Sequence, residues 1–127
     1  MELKNDSNIP IYIQIANMIE DQILERTLEE DEKVYSTNEL SVLLHVNPAT
    51  ARKGLNLLVN EGILYKKRGV GMFVKKGAVE IIKSKRKTSF FNEYIPEIIR
   101  EAKKLEIGKD ELIDMIKSCE GGGVDDE

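Results

Sequence analysis

Thr50, Arg52 and Lys53 follow closely on Asn47-Pro48, and Lys66-Lys67-Arg68-Gly69 comes shortly after them. These residues have the types and spacing to do chemistry, and that chemistry is the gripping of anions. Arginine forks onto phosphate with two parallel hydrogen bonds, and lysine adds point charge. Asn47 precedes a proline, so it opens a helix whose first N–H groups favour an anion. The plain alternative is an ordinary solvated helix face. Other chemistries lack their parts. A single cysteine, Cys119, excludes an internal disulfide framework and a cysteine zinc site. A single histidine, His45, argues against a His-rich metal site or a Ser-His-Asp triad, and reads as a turn residue after a helix. No acid–base pair or nucleophile–base pair stands out, so no enzyme, metal or cofactor is expected. Gly69-Val70-Gly71 superficially suggests a phosphate loop, but no helix follows it directly, so the motif is weak.

The surrounding pattern says what must position these residues. After Pro10, Ile11, Ile15, Met18, Ile19 and Ile23 recur at helical spacing, so a helix is expected over about residues 10–26, with Glu20, Asp21 and Glu25 outside. The run Glu29-Glu30-Asp31-Glu32 reads as a solvated turn. Ser36-Thr37-Asn38-Glu39 fits a capping box and opens a short helix with Leu40, Leu43 and Leu44 on one face. Asn47-Pro48 opens the next helix, with Ala51, Leu55, Leu58 and Val59 as its buried stripe and Gly62 as its stop. Two short helices about three residues apart form a helix-turn-helix. Residues 63–67 and 72–75 are β-prone runs around a glycine-bearing turn, which is a hairpin. Helix, helix-turn-helix and hairpin in this order describe a winged helix.

Beyond Gly77 helix resumes. Val79, Ile81 and Ile82 come first, then a basic cluster from Lys83 to Lys87, then the stripe Phe91, Tyr94, Ile95, Ile98, Ile99, Ala102 and Leu105. Pro96 must kink or restart that helix. Gly108 ends it, and residues 109–118 make a last short helix with Leu112, Ile113 and Ile116 on one face. The expected fold is mainly α with a small β-hairpin. Residues 1–76 form a winged helix-turn-helix domain, 77–120 a helical dimerisation segment, and 121–127 a disordered tail.

Composition agrees with a small folded chain. It has 127 residues, 41% hydrophobic, which is too apolar for disorder throughout. No apolar run approaches the ~18 residues of a membrane helix, and the N-terminus lacks signal-peptide character, so a cytoplasmic protein is expected. The formal net charge of −4 conceals a segregation. Residues 1–32 carry two basic and nine acidic side chains, residues 33–76 eight basic and two acidic, and residues 77–127 nine basic and twelve acidic. The basic stretch coincides with the helix-turn-helix and hairpin, and polyanion binding needs a local positive face rather than a basic chain.

A helix-turn-helix places the start of its second helix in the DNA major groove. Arg52 could then pair with guanine or hold a phosphate, and Ala49 could touch a thymine methyl. The expected interface to double-stranded DNA comprises Asn47, Ala49, Thr50, Arg52, Lys53, Lys67 and Arg68.

The residues from 10 to 74 resemble the DNA-binding domain of GntR-type bacterial transcription regulators. The resemblance is carried by Pro10-Ile11-Tyr12 with Gln14-Ile15, by Ser36 and Glu39-Leu40, and by Val46, Thr50, Arg52, Leu55 and Leu58. It continues through Glu61-Gly62-Ile63-Leu64, Arg68-Gly69-Val70-Gly71 and Phe73-Val74. Asn47-Pro48-Ala49-Thr50 and the short helical tail resemble the YtrA-type branch. That resemblance implies no large ligand-binding domain, dimerisation through the C-terminal helices, and often control of a transporter operon. The chain departs from the family pattern at Val34-Tyr35 (usually Leu-Pro), Asn38 (often Arg), His45 (usually Gly) and Pro48 (often a base-contacting Arg). The contacts it carries over are therefore Thr50, Arg52, Arg68 and Gly69, with Ser36 as cap and phosphate contact.

Physics points the same way for the tail. Its apolar stripe exceeds what a soluble monomer usually exposes, and a twofold dimer would bury it and set the spacing of two recognition helices. Phe91, Tyr94, Ile95, Ile98, Ile99, Ala102, Leu112 and Ile116 are the expected dimer residues. Membrane-surface binding is the rival use of such a stripe, but Glu93, Glu97, Glu101 and Glu106 oppose it. The leading expectation is a homodimeric repressor on an inverted-repeat operator. The alternative is a winged-helix adaptor that binds protein without touching DNA. An unidentified small-molecule effector, seated between winged domain and tail, is a further expectation.

Overall fold

A computed structural model describes residues 3, 4 and 8–120. The chain divides into two compact units, Met1–Lys85 and Arg86–Glu127. The first unit opens with α1 (Ile11–Leu24), whose N-cap position is held by Pro10. Pro10 has no N–H to leave unpaired there, and its carbonyl accepts from the N–H groups of Ile13 and Gln14. α2 (Thr37–Leu44) starts with the expected capping box. Ser36 Oγ accepts from the Glu39 N–H at 3.0 Å, and the Ser36 N–H donates to Glu39 Oε1 at 2.8 Å. Of the leucines expected on one face of this helix, Leu40 is buried and Leu43 is exposed. α2 ends at His45, which takes the left-handed conformation at φ +56. That conformation favours glycine, which is the physical sense of the family preference at this position.

α3 (Pro48–Asn60) is capped by Asn47, and Gly62 turns the chain at φ +78 just beyond it. β1 (Leu64–Lys67) and β2 (Gly71–Val74) pair antiparallel, with Leu64 opposite Val74 and Lys67 opposite Gly71. The chain ahead of α2 adds to this hairpin. Lys33 bridges to Phe73, the Val34 N–H donates to the Met72 carbonyl at 2.9 Å, and the Val74 N–H donates to the Glu32 carbonyl at 3.0 Å. The stretch expected as a solvated acidic turn thus runs directly into a sheet edge.

The core gathers Ile15, Ile19 and Ile23 of α1 with Leu40 of α2 and Leu55 and Leu58 of α3, closed by Ile63, Leu64 and Val74 of the hairpin. It also takes in Ala78, Val79 and Ile82, from the start of α4 (Ala78–Ser89). The first unit therefore extends past the boundary expected after residue 76, because α4 opens with an apolar face that the winged core covers. Glu20 corrects a second expectation. It is fully buried in α1 rather than outside, and Lys85 of α4 donates a hydrogen bond to its carboxylate.

In the second unit a π-helical turn (Phe90–Tyr94) follows α4, then α5 (Ile95–Lys104) and α6 (Lys109–Ser118). Pro96 lies in the first turn of α5, just after the π-helical turn, and the backbone keeps helical dihedrals at Tyr94 and Ile95 on the way into it. The expected disordered tail, residues 121–127, lies outside the described residues.

Candidate nucleic-acid interface

The turn between α2 and α3 is locked from both sides. The Ser41 hydroxyl donates to the Val46 carbonyl at 2.6 Å, and the Val46 N–H donates to the Ser41 carbonyl at 3.1 Å. The Asn47 side-chain oxygen then accepts from the Ala49 N–H at 2.8 Å, while its carbonyl accepts from the Thr50 and Ala51 N–H groups. Asn47 therefore shapes the start of α3. Pro48, Ala49, Arg52 and Lys53 are exposed around it, whereas Thr50 is half-buried.

A groove of ≈ 390 Å³ runs along α3 and is lined by Ala49, Arg52, Lys53 and Asn56 of that helix with Tyr12 of α1. The Lys53 ammonium lies over the Tyr12 ring, 4.2 Å from its centroid. This cation–π contact holds Lys53 beside Arg52 and keeps its charge at the groove. Gly54 lets the two helices come close, because a Cβ there would stand 2.9 Å from the Tyr12 carbonyl oxygen.

A second cleft, of ≈ 300 Å³, lies between the start of α2 and the hairpin. It brings Ser36 and Thr37 together with Lys66, Lys67, Arg68 and Gly69. The hairpin tip is a tight turn in which the Val70 N–H donates to the Lys67 carbonyl at 2.9 Å. Gly69 takes φ +79 within it, a conformation open to glycine. Lys67 is steadied by the Phe73 ring, 4.9 Å from its ammonium, and Phe73 stacks in turn on Tyr65. Arg68 is exposed at the tip.

The structure thus sorts the expected residues. Ala49, Arg52 and Lys53 share one groove, while Ser36, Lys67, Arg68 and Gly69 share another. Asn47 is committed to the cap, and Thr50 lines neither groove. Sequence reasoning missed Tyr12 and Asn56. The first was hidden in the apolar start of α1, and the second gave no local signal beyond its polarity.

The expected dimer residues fall into three classes. Phe91, Tyr94, Ile98, Ile99 and Ile116 are exposed. Ile95 and Leu112 are half-buried, and Ala102 is already buried in the single chain. Among the described residues no group of histidine, cysteine or carboxylate side chains could hold a metal ion, and no helix is long and apolar enough to cross a membrane.

The family described as bacterial regulatory proteins, gntR family, matches residues 11–74, which span α1 through β2. The chain belongs to the GntR family. It is 29% identical over 123 residues to the uncharacterized HTH-type transcriptional regulator YhcF of Bacillus subtilis, covering 97% of this chain and 100% of that one. It is 27% identical over 111 residues to the HTH-type transcriptional repressor YtrA of the same organism, covering 87% of this chain and 85% of that one. Against the longer repressor NagR it is 38% identical over 80 residues, but spans only 33% of NagR's length. A putative GntR-family regulator from Bacteroides thetaiotaomicron shares the winged-helix fold at TM-score 0.73 and 34% identity, over 85% of this chain and 94% of that one. The DNA-binding domain of AraR, solved in complex with operator ORE1, superposes at TM-score 0.52 and 33% identity over 57% of this chain and 88% of that one.

Proposed function

We propose that this GntR-family chain is a sequence-specific DNA-binding transcriptional regulator, acting in the cytoplasm as a homodimeric repressor on an inverted-repeat operator. The observation that carries the reading is the exposed start of α3. There Arg52 stands beside Ala49 in one groove, with Arg68 and Gly69 presented at the hairpin tip. Arg52 reads a guanine edge and Ala49 a thymine methyl in the major groove. The wing residues Lys67, Arg68 and Gly69, with Ser36 at the start of α2, hold the phosphate backbone and fix the register. Asn47 acts indirectly by setting the first turn of α3, and Thr50 supports that turn.

The operator-bound AraR domain supports this assignment by analogy of fold. The likeness to the YtrA repressor favours repression, and the resemblance to its branch favours a transporter operon as target. Dimerisation through the exposed face of α5 and α6, around Ile98, Ile99 and Ile116, supplies the twofold symmetry that an inverted repeat requires. The expected small-molecule effector would register as a shift in melting temperature against a metabolite panel.

The test is selection of genomic fragments by the purified chain at near-physiological salt, with its solution mass recorded. A dimer enriching a promoter that contains a palindrome, and losing it on Arg52→Ala with Arg68→Ala, is the expected result. Unselective capture, no capture, or capture unaffected by the two substitutions overturns the reading.

A further inference from the structure

Tyr12 belongs to the first turn of α1, yet it lines the groove that runs along the exposed face of α3. The Lys53 ammonium stands 4.2 Å from the centre of its ring. Glycine at position 54 makes this contact possible, since a Cβ there would stand 2.9 Å from the Tyr12 carbonyl oxygen and hold α1 away. On α3 the groove is lined by Ala49 and Arg52 and, one turn behind them, by Lys53 and Asn56. Lys53 is exposed and Tyr12 is half-buried. An aromatic ring orients a cation without cancelling its charge, whereas a carboxylate in the same place would cancel it.

That distinction matters for a residue that meets DNA. A lysine is a point charge on a flexible four-carbon stem, and fixing the stem costs rotamer freedom. Left free, the ammonium spends only a fraction of its time where a given phosphate can reach it, and the apparent affinity falls by that fraction. The Tyr12 ring raises the fraction before DNA arrives. The first residues of a recognition helix meet base edges, and contacts around them go to the sugar–phosphate backbone. With Ala49 and Arg52 at the base edges, Lys53 falls one turn later and on the side of α1, where the flanking backbone passes.

We propose that Tyr12 is a positioning residue for DNA binding: its ring holds the Lys53 ammonium at the α1 side of the groove, where it neutralises a backbone phosphate beside the base-reading start of α3. The inference rests on the DNA-binding reading above and adds a residue that the reading does not use. It needs only one copy of the chain, and both residues lie in the first compact unit.

The test uses the full chain, a duplex carrying one half-site of the operator selected above, and a random duplex of equal length, each over a series of salt concentrations. Lys53→Met should lower the slope of log affinity against log salt by about 0.9 and weaken binding about fivefold at about 0.15 M salt. A phosphate contact carries no sequence information, so the loss should be similar on both duplexes. Tyr12→Phe keeps the ring and should bind as wild type does. Tyr12→Leu should weaken binding about two- to fivefold. In the Lys53→Met background the same change should alter affinity by less than about 1.5-fold, because the lysine it positions is gone. Tyr12→Leu also disturbs packing, so a chain with pentafluorophenylalanine in place of Tyr12 is measured beside it. That residue keeps the ring's shape but not its negative face, and should lose affinity as Tyr12→Leu does.

Equal losses from Tyr12→Leu with and without Lys53 overturn the inference, since that is the mark of a merely structural role. Wild-type affinity in the fluorinated chain overturns it too, as does an unchanged salt slope in Lys53→Met. Tighter binding by Tyr12→Leu would mean that the ring withholds the lysine from DNA, and also overturns it. A wild-type chain that binds neither duplex overturns the functional reading and this inference together, and the wild-type data alone identify that case.

Discussion

At Gly54 and Gly71 the missing Cβ matters for different reasons, a close approach of two helices at the first and a backbone conformation at the second. Alanine in place of glycine inside a helix ordinarily gains about 1 kcal/mol. At Gly54 the sign should reverse. The new Cβ would stand 2.9 Å from the Tyr12 carbonyl and 3.2 Å from Ile15 Cγ2, so α1 must be pushed off α3. Gly54→Ala is expected to lower stability by about 1–3 kcal/mol in urea unfolding, and a gain would mean that α1 yields freely. At Gly71 the obstacle is different. A Cβ there would meet Lys33 Cε at 2.7 Å, but that atom is near the end of a flexible chain, while the backbone sits at φ +148. Gly71→Ala should therefore cost about 1–3 kcal/mol from backbone strain, and adding Lys33→Ala should not recover it. Full recovery in the double variant would assign the cost to the side-chain clash instead. Neither glycine was legible as a contact point, since the partner of each lies on another element. Glu20 failed for the same reason. Its charge placed it outside, and Lys85, which donates to it from 65 residues away, helps to offset the cost of its burial. Arg52, Ala49 and Arg68 were legible because an N-cap and a glycine turn are local signals that fix which neighbours are exposed.

Among the elements, those with punctuation of their own were readable. Ser36 to Glu39 announced α2, Asn47-Pro48 announced α3, and both formed with the expected caps. The pairing of the residues before α2 with β2 carried no such mark, because its partner lies some forty residues onward. Pro96 signalled an interruption, yet the interruption also includes the π-helical turn before it, where the Ile95 N–H donates to the Phe90 carbonyl. The link between the pre-α2 chain and the hairpin can be followed by pH. The Tyr65 hydroxyl donates to Asp31 Oδ1 at 2.9 Å. That hydrogen bond chiefly, with desolvation and the negative charge of Asp31, raises the Tyr65 pKa above 10.0. A raised pKa means that the folded chain holds the proton more tightly. The stabilisation is thus complete below the unfolded value of about 10 and is lost as pH rises through the higher folded one. The stability difference between wild type and Tyr65→Phe should be constant from neutral pH to about 9 and shrink above 10. A difference that persists unchanged at pH 11 to 12 would show that the tyrosine contributes through packing alone.

At the scale of the whole molecule, charge and apolar surface are segregated, and both patterns are legible in the order of the residues. The basic stretch holds α2, α3 and the wing, and the tail holds Phe91, Tyr94, Ile98, Leu105 and Ile116, all at least 43% exposed. The position of the unit boundary is not legible there, because α4 shares its first turns with the winged core while its sequence runs without punctuation into the helical tail. If the exposed tail face joins two copies, a charge placed on it should separate them without touching the DNA-reading surface. Ile98→Glu puts a carboxylate where a partner's apolar residues would lie, beside the existing Glu97 and Glu101. Its solution mass should fall to that of a single chain, with the melting of the winged unit unchanged. Affinity for an isolated half-site should stay at the wild-type level. Affinity for the full palindrome should drop by about 100-fold or more, because the second half-site is no longer bound at high effective concentration. The dependence of binding on salt gives an independent check. Each neutralised phosphate contributes about 0.9 to the slope of log affinity against log salt, so a separated chain that engages half the phosphates should show about half the slope. An unchanged slope with an unchanged mass would place the dimer contact elsewhere, and an unchanged slope with a halved mass would mean that one copy alone contacts the DNA.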